Sequence, residues 1–203
     1  MSENKVTASI TMTLDGFTAG FNQTFERPFG DSFDADYLDR WMFAEPEKHK
    51  HQREIEDILN AGSFIIGSNM FGPKDRREQP EWKGWWGNNP PYHAPVFVLT
   101  HKERIPIEME GGTTFYFVTD GIESALTKAM AAARNRNVKI MGGASTINQY
   151  LSAGLIDELW LHIVPVTIGV GTRLFEGVGN LRLEPIEVGG TDVISHIRYK
   201  ILK

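Results

Sequence analysis

The stretch VKIMGGASTI, residues 138–147, places a short apolar run directly before two glycines and the start of a helical pattern. Gly142 and Gly143 let the backbone approach a ligand closely, and the helix that follows presents free N–H groups and the positive end of its dipole to an anion. Ser145 and Thr146 add hydroxyl groups at that point. The stretch therefore predicts a phosphate-binding turn, with a tight strand-to-helix turn that binds nothing as the alternative.

Composition limits the class of protein. The chain has 203 residues, a formal net charge of −5 and no cysteine. This length predicts a single domain, residues 1–203, that is large enough to hold a cleft. Scattered basic residues on an acidic chain argue against nucleic acid as a partner. The lack of cysteine excludes disulfides and thiolate catalysis, and we expect a cytoplasmic protein. No apolar run approaches membrane-spanning length, so we expect no membrane partner.

Apolar runs and helical patterns alternate along the chain. The predicted strands are 6–14, 64–67, 96–100, 114–119, 138–141, 157–167, 181–188 and 193–202. The predicted helices are 34–43, 47–60, about 120–136 with Thr119 or Asp120 as cap, and 144–153. The last two strands read as an antiparallel hairpin turned at residues 189–192. The pattern predicts an α/β fold with a mostly parallel sheet of about eight strands and helices on both faces.

Three of the predicted strands end in glycine or polar residues. Gly67 and the sequence SNM follow one strand, Thr100 and His101 follow another, and the Gly142–Gly143 turn follows a third. In open α/β sheets, ligands bind beyond the carboxyl ends of the strands. Together these ends favour a dinucleotide whose phosphates spread across the sheet, although each one alone is compatible with a structural turn.

At this point the chain resembles the dihydrofolate reductase superfamily, and within it the branch that includes the reductase domain of bacterial riboflavin biosynthesis. The likeness runs nearly end to end. It is carried by TLDGF at 13–17, IGSNMF at 66–71, GGAS at 142–145, DEL at 157–159 with VPV at 164–166, and GVGTRLF at 169–175. The resemblance implies a dihydrofolate reductase-like three-layer α/β/α fold and a homodimer formed through the closing hairpin.

The resemblance also implies NADPH as the hydride donor. It puts the Gly67 and Gly142–Gly143 turns on the cofactor phosphates, with a cis Gly142–Gly143 peptide, and Thr100 with His101 near the adenosine end. The cofactor-binding residues expected on this basis are Gly20, Gly67, Ser68, Asn69, Met70, Thr100, His101, Gly142, Gly143, Ala144, Ser145 and Thr146.

Ser68 departs from the family pattern, in which arginine commonly follows the glycine. A serine donates one hydrogen bond but supplies neither the charge nor the two-pronged geometry of a guanidinium. This places the affinity for NADPH, and its preference over NADH, in question. Lys74, Arg76 and Arg77 lie nearby in sequence as substitutes, with a solvated loop face as their alternative role.

Residues 72–95 form a long connection rich in aromatic side chains, and connections of this length are usually functional. Trp82 and Trp85 are predicted to contact the substrate as a wall or lid over a flat heterocycle. The alternative is a satellite hydrophobic cluster or a dimer contact. Either role requires the tryptophans to be partly buried.

Asp15 is the carboxylate expected to take part in catalysis as a source of the proton that hydride reduction requires. Asp-Gly is also a common turn pair, so a purely structural role for Asp15 is the alternative. Asp36 and Asp39 are weaker candidates. His49 and His51 stand two apart on a predicted helix and so point in different directions, and no metal site is expected from them.

These features together predict an NADPH-dependent reductase of a small heterocyclic or sugar-linked C=N or C=O substrate. The nearest activity in the resembling family is reduction of 5-amino-6-(5-phosphoribosylamino)uracil in riboflavin biosynthesis. Two alternatives remain: dihydrofolate reduction, which needs a carboxylate on the first helix, and a nucleotide-binding protein without catalytic activity, which Ser68 favours.

Overall fold

The chain forms one extended central sheet in the computed structural model, which describes residues 4–31 and 36–203. The strands in these ranges are β1 (Val6–Thr13), β2 (Phe17–Ala19), β3 (Ser63–Gly67), β4 (Pro95–Leu99), β5 (Ile107–Glu108), β6 (Thr114–Val118), β7 (Val138–Gly142), β8 (Glu158–Val164), β9 (Thr172–Arg173), β10 (Arg182–Gly190) and β11 (Ser195–Leu202). Nine of them form the main sheet in the order β10-β11-β8-β1-β7-β3-β4-β6-β5. The strands from β8 to β6 run parallel, while β11, β10 and β5 are antiparallel to their neighbours.

Helices cover both faces of the sheet and give the predicted three-layer α/β/α arrangement. They are α1 (Asp36–Phe43), α2 (Glu47–Lys50), α3 (Gln52–Leu59), α4 (Ser68–Phe71), α5 (Ile122–Ala132) and α6 (Ala144–Ser152). One apolar core includes Ile65, Ile140 and Ile147, and a second on the opposite face includes Phe64 and Ile66. Alternate residues of β3 therefore point into different cores, which is why the central strands read as continuous apolar runs.

The sequence predicted the order of the longer elements, and the structure changes several details. The predicted helix 47–60 is two helices, α2 and α3, that meet at His51, and α3 ends at Leu59. The helix after β6 is capped at Gly121 rather than at Thr119 or Asp120 and ends at Ala132. Tyr116 of β6 is 37% exposed, and β6 lies next to the edge strand β5.

The strands β2, β5 and β9 were not predicted, because runs of two or three residues are too short to show a periodic pattern. The first helix was expected to begin at Asp34, which lies outside the described residues. Within the described ranges, no helix combines the length and the hydropathy that a membrane crossing requires.

A chain of buried polar side chains links the sheet to α3. Ser9 Oγ lies 2.9 Å from His162 Nε2 in β8, and His162 Nδ1 lies 2.7 Å from His196 Nδ1 in β11. His196 Nε2 in turn lies 2.9 Å from Nδ1 of His51, the residue that caps α3. Burial lowers the pKa of His196 to about 4 and holds that of His162 well below its ordinary value. Burial also lowers the pKa of His51, so the charged form of all three imidazoles is disfavoured in this environment.

Candidate active site

The carboxyl ends of β7, β3 and β4 lie side by side, as the sequence predicted. Ile66 is in register with Gly142, and Gly67 is in register with Leu99. Thr100 directly follows β4, so the three turns that were expected to contact a dinucleotide open onto one edge of the sheet. This is the position at which parallel α/β sheets bind their ligands.

Gly142 and Gly143 connect β7 directly to α6 through a cis peptide bond, as the resemblance implied. Gly143 O accepts the N–H groups of Thr146 and Ile147, at 3.0 and 3.2 Å. The first N–H groups of a helix have no acceptor within the helix, so those of Ala144 and Ser145 are available to an anion in front of it. Ser145 is exposed beside them and Thr146 is buried, so of the two predicted hydroxyl groups only that of Ser145 faces solvent.

A cleft of about 570 Å³ opens between the ends of β3, β4 and β6. Ser68 and Thr100 line it, together with four basic and three acidic residues: Arg77, Lys83, Lys102, Arg104, Glu78, Glu103 and Glu108. Because Arg77 stands in the same cleft as Ser68, it is placed to supply the positive charge that Ser68 lacks. This favours Arg77 over Lys74 and Arg76 among the nearby cations considered from the sequence.

Other predicted cofactor residues of this region do not line the cleft. Asn69 is exposed and its side-chain oxygen accepts a hydrogen bond from Arg77, while Met70 packs against the apolar core beside β3. His101 is exposed next to Thr100, whose hydroxyl accepts the backbone N–H of Lys102 at 3.2 Å. The structure therefore places Ser68 and Thr100 on the cleft wall and His101 outside it.

Arg104 was not recognised from the sequence, and it holds the cleft wall together. Its guanidinium donates to the carbonyl oxygens of Arg77, Pro80 and Trp82 at 3.2, 2.9 and 2.6 Å. It also lies over the ring of Phe117, 5.3 Å from the centroid. With its donors used on backbone carbonyls, Arg104 fastens the segment that carries Arg77. No signal in the sequence distinguishes it from a surface arginine.

Asn148 in α6 fixes the segment that follows β9. Its side chain donates to Arg173 O at 3.1 Å and accepts the N–H of Phe175 at 2.9 Å. Arg173 places its guanidinium 4.5 Å from the centroid of Phe17 in β2. Ser145, Asn148 and Arg173 line a smaller recess of about 330 Å³ beside the start of α6. The motif GVGTRLF thus runs past the start of α6, which the sequence did not predict from spacing.

Gly20 lies in a tight backbone crossing rather than on the cleft wall. Its N–H donates to Phe29 O at 2.8 Å, and a β-carbon built on it would stand 1.8 Å from Asp31 O. Only glycine fits where two backbone segments approach this closely. This close packing explains why residue 20 is a glycine without invoking a ligand. The contact of Gly20 with a cofactor stays a prediction.

Asp15 anchors the loop that follows β8. Its carboxylate accepts a hydrogen bond from Thr13 Oγ1 at 2.6 Å and from the backbone N–H groups of Ile168 and Gly169 at 3.2 and 2.8 Å. Desolvation acts to raise the pKa of Asp15, but these hydrogen bonds outweigh it and lower that pKa. A carboxylate that stays ionised is a weak proton donor at neutral pH. The geometry favours the structural role, and catalysis by Asp15 remains to be tested.

Trp82 and Trp85 belong to an aromatic cluster that joins the long 72–95 segment to the loop after β2. Phe25 stacks on Trp85 with centroids 5.9 Å apart and meets Trp82 edge to face at the same distance. Trp82 Nε1 also donates to Phe71 O at 3.0 Å. Both tryptophans are half-buried, as expected, and Phe25 is the partner that sequence reasoning missed.

The far part of the same segment is anchored in the core. Tyr92 is buried with its ring 5.1 Å from that of Phe64, and burial raises its pKa to about 12. Trp86 contacts Phe43 at the end of α1, at 5.8 Å. The segment thus packs as an aromatic cluster at one end and is anchored in the core at the other, and its role as a wall over a substrate stays a prediction.

Asp36 and Asp39, the other carboxylates considered, lie on α1, where Asp39 is half-buried. The side chain of Asp36 lies outside the described residues. His49 is exposed with its Nε2 2.9 Å from Glu45 Oε2, whereas His51 is buried. As predicted, these two histidines do not face each other.

The chain is similar to a known protein family and to a bacterial protein. The sequence profile of the family described as the RibD C-terminal domain matches residues 4–195. The uncharacterized protein YyaP of Bacillus subtilis (strain 168) is 23% identical over 181 residues, which cover 86% of this chain and 82% of that protein.

Solved structures share the fold. A protein from Shewanella sp. PV-4 that is provisionally assigned to riboflavin biosynthesis has a TM-score of 0.66 at 19% identity, covering 98% of this chain and 99% of that one. Dihydrofolate reductase from Enterococcus faecalis, solved in complex with NADP(H) and RAB-propyl, has a TM-score of 0.56 at 14% identity, with 98% and 97% covered. At these identities the likeness establishes the fold, and the matching profile establishes the family.

Proposed function

The chain belongs to the RibD C-terminal domain family, and from this premise we propose that it is an NADPH-dependent reductase of a small heterocyclic or sugar-linked C=N or C=O substrate. The nearest activity of the resembling family is reduction of 5-amino-6-(5-phosphoribosylamino)uracil. The observation that carries the proposal is the convergence of Gly67, Thr100 and the Gly142–Gly143 turn at the carboxyl ends of three adjacent parallel strands.

Two sets of groups at this edge suit the anionic parts of a dinucleotide. The N–H groups of Ala144 and Ser145 at the start of α6, with the exposed Ser145 hydroxyl, suit the pyrophosphate. Ser68 and Arg77 on the cleft wall suit a further phosphate, with Arg77 as the cation. Bound there, NADPH supplies the hydride for the reduction.

The aromatic cluster of Phe25, Trp82 and Trp85 supports a planar substrate. Its rings are held by each other and by the hydrogen bond from Trp82 to Phe71, so they provide an ordered apolar surface beside the sheet edge. A flat heterocycle gains dispersion contacts on such a surface, and the surface keeps water from the reacting atoms. The proton for the reduced bond comes from Asp15 or from an ordered water in this proposal.

Binding of NADPH and NADH, followed separately by calorimetry and by tryptophan emission, tests the proposal. We expect saturable binding at one site, with NADPH preferred. The Ser145→Asp variant places a carboxylate at the start of α6, where it stabilises the helix but repels a phosphate. We expect it to weaken NADPH binding at least tenfold.

The matched control is Thr127→Asp, which adds the same charge on the exposed face of α5. It should leave NADPH affinity unchanged within twofold. No binding of either nucleotide, or equal binding by the Ser145→Asp variant, would contradict the proposed cofactor site. Saturable binding without NADPH oxidation over a panel of pyrimidine and pterin substrates would favour the non-catalytic alternative, and oxidation with dihydrofolate alone would favour folate reduction.

The homodimer is part of the same proposal and is supported by the exposed outer strand β10. Its Ile186 and Val188 are 48% and 70% exposed, and within the part of the chain that the structure describes no strand pairs with its outer edge. An edge strand with apolar side chains is a site for pairing with a second copy. Light scattering should give a dimer for the wild type and a monomer for Val188→Glu, and a monomeric wild type would remove this part of the proposal. A cytoplasmic location remains our expectation from the composition.

A further inference from the structure

Three side chains that serve neither the cleft nor the aromatic cluster converge at the start of α3. A nitrogen of His51, a carboxylate oxygen of Glu54 and a nitrogen of His196 all lie within 4.8 Å of one another. His51 and Glu54 are three residues apart at the beginning of a helix, so they share one face of it. His196 reaches them from β11.

The two imidazoles are directed at a common point. His51 Nδ1 and His196 Nε2 are 2.9 Å apart, and a hydrogen bond between them uses one N–H and one lone pair. If both nitrogens present lone pairs, a cation between them is bound at about 2.0–2.1 Å by each. Tetrahedral coordination puts such nitrogens about 3.3 Å apart, so the rings need to separate by only a few tenths of an ångström.

The outer nitrogens of both rings already have partners. His196 Nδ1 lies 2.7 Å from His162 Nδ1, and His162 Nε2 lies 2.9 Å from Ser9 Oγ. His51 Nε2 lies 3.2 Å from Thr191 Oγ1. With Nε2 of His196 and Nδ1 of His51 on a metal, each ring donates its other N–H outward to one of these groups. Partners of this kind fix the tautomer and orientation of metal-binding histidines.

Negative charge surrounds the pair. Glu54 is half-buried, and Glu47, one turn before His51, is buried with its Oε2 atom lacking a hydrogen-bond partner. Lys50 opposes them with one positive charge, through its 2.9 Å contact with Glu47 Oε1. Two carboxylates beside two imidazoles favour a cation at this place.

We propose that His51, Glu54 and His196 form a binding site for one divalent transition-metal ion of the Zn²⁺ class, with water completing the coordination. Two imidazoles and one carboxylate suit Zn²⁺, Co²⁺, Ni²⁺ and Cu²⁺, whereas Mg²⁺ and Ca²⁺ prefer oxygen ligands throughout. The ion joins α3 to β11, and none of its ligands lines the cofactor cleft, so its role is to stabilise the fold.

Calorimetric titration of the EDTA-treated, dialysed full chain with ZnCl₂ tests the site. We expect one equivalent to bind with a dissociation constant in the micromolar range or below and to raise the melting temperature by several degrees. Glu54→Gln, at a half-buried position, should weaken binding at least tenfold, and so should His51→Gln. His49→Gln and Glu56→Gln, both at exposed positions of the same region, are the controls and should bind as the wild type does.

Two results would overturn the proposal directly: no binding of Zn²⁺, or unchanged binding by Glu54→Gln. Loss of binding in His49→Gln would also overturn it, because this would assign the ion to the surface pair of His49 and Glu45. A readout that does not depend on variants comes from histidine ¹⁵N NMR. Zn²⁺ should shift Nε2 of His196 and Nδ1 of His51 to metal-bound values while their other nitrogens stay protonated. Unchanged ring signals at saturating ZnCl₂ would overturn the proposal even if heat is released.

Discussion

Thr146 Oγ1 occupies the space that a side chain on residue 67 would need, because it lies 2.4 Å from a β-carbon built on Gly67. The contact holds α6 against the end of β3. Gly67 has an ordinary extended backbone, with φ −80° and ψ 160°, so the glycine is required by packing and not by its conformation. The two residues therefore set the separation between two of the turns assigned to the cofactor.

Gly67→Ala should lower the free energy of unfolding by about 1–3 kcal/mol, because the added methyl overpacks a close contact. It should also weaken NADPH binding, since α6 has to move away from β3. Adding Thr146→Ala removes the obstructing hydroxyl and should restore most of both losses. A double-mutant cycle by urea denaturation and calorimetry measures the coupling, and additive effects would show that the contact does not matter.

Ser68→Arg should raise NADPH affinity about tenfold, because a guanidinium on the cleft wall adds a charge-assisted hydrogen bond to a phosphate. NADH affinity should change less if that phosphate is the one that distinguishes the two nucleotides. Calorimetric titration of both nucleotides gives the ratio. Thr127→Arg adds the same charge on the exposed face of α5, outside the residues that line the cleft, and is the control. An equal gain in both variants would indicate a general charge effect in place of a defined phosphate contact.

The parallel core of the fold was predictable because its strands are buried on both faces. Residues 64–67 and 138–141 read as continuous apolar runs between clear turn residues, and both are central strands in the structure. The break of the 47–60 helix was not predictable, because the interruption at His51 follows from the tertiary contact that its imidazole ring makes. The periodic pattern of the neighbouring residues carries no trace of that tertiary contact.

The candidate site was predictable where glycines mark a close approach of the backbone. It was less predictable where it depends on the direction in which a side chain points. Gly67 and Gly142 were placed correctly at adjacent strand ends. The burial of Thr146 and the exposure of His101 depend on which side of a turn each side chain takes, and residue type alone does not decide this. Asn148 and Arg104 act through hydrogen bonds to backbone far away in sequence, and such partners leave no pattern at fixed spacing.

Lys139 and Asp57 differ in burial, and their replacements should differ in effect. Lys139 is 5% exposed and its Nζ lies 3.2 Å from Asp57 Oδ2, while the half-exposed Asp57 is also 3.0 Å from Arg198. Lys139→Met should change the free energy of unfolding by no more than about 1 kcal/mol, because Asp57 keeps Arg198 and water. Asp57→Asn removes the carboxylate that contacts the buried Lys139 ammonium, which keeps its hydrogen bond to Asp57 O, and should cost about 3 kcal/mol at pH 7.

The pH dependence separates this explanation from a general loss of packing. Burial lowers the pKa of Lys139 against the opposing attraction of Asp57, so removing Asp57 lowers it further. In the range between the folded and the unfolded pKa, the unfolded chain binds the proton and the folded chain does not, so stability rises with pH. Asp57→Asn should therefore regain stability relative to wild type between pH 7 and pH 10, measured by urea denaturation. Glu56→Gln, next to it and exposed, should show no such trend.

Asp15 provides the test that separates a structural from a catalytic carboxylate. Asp15→Asn removes the charged carboxylate that accepts hydrogen bonds from Thr13, Ile168 and Gly169. It should lower the free energy of unfolding by about 2 kcal/mol at pH 7. The folded pKa of Asp15 is lowered, so its contribution is present above the unfolded pKa of about 3.9 and is lost as pH falls through the folded value. The stability difference between wild type and variant should therefore shrink on acidification, whereas Asp192→Asn in the exposed hairpin turn should show no difference at any pH.

NADPH oxidation by the Asp15→Asn variant separates the two roles once a substrate is found. If Asp15 only anchors the 168–169 loop, the variant keeps the wild-type pH profile at temperatures where it is folded. A fully folded variant that binds NADPH normally but has lost turnover would instead assign the proton transfer to Asp15.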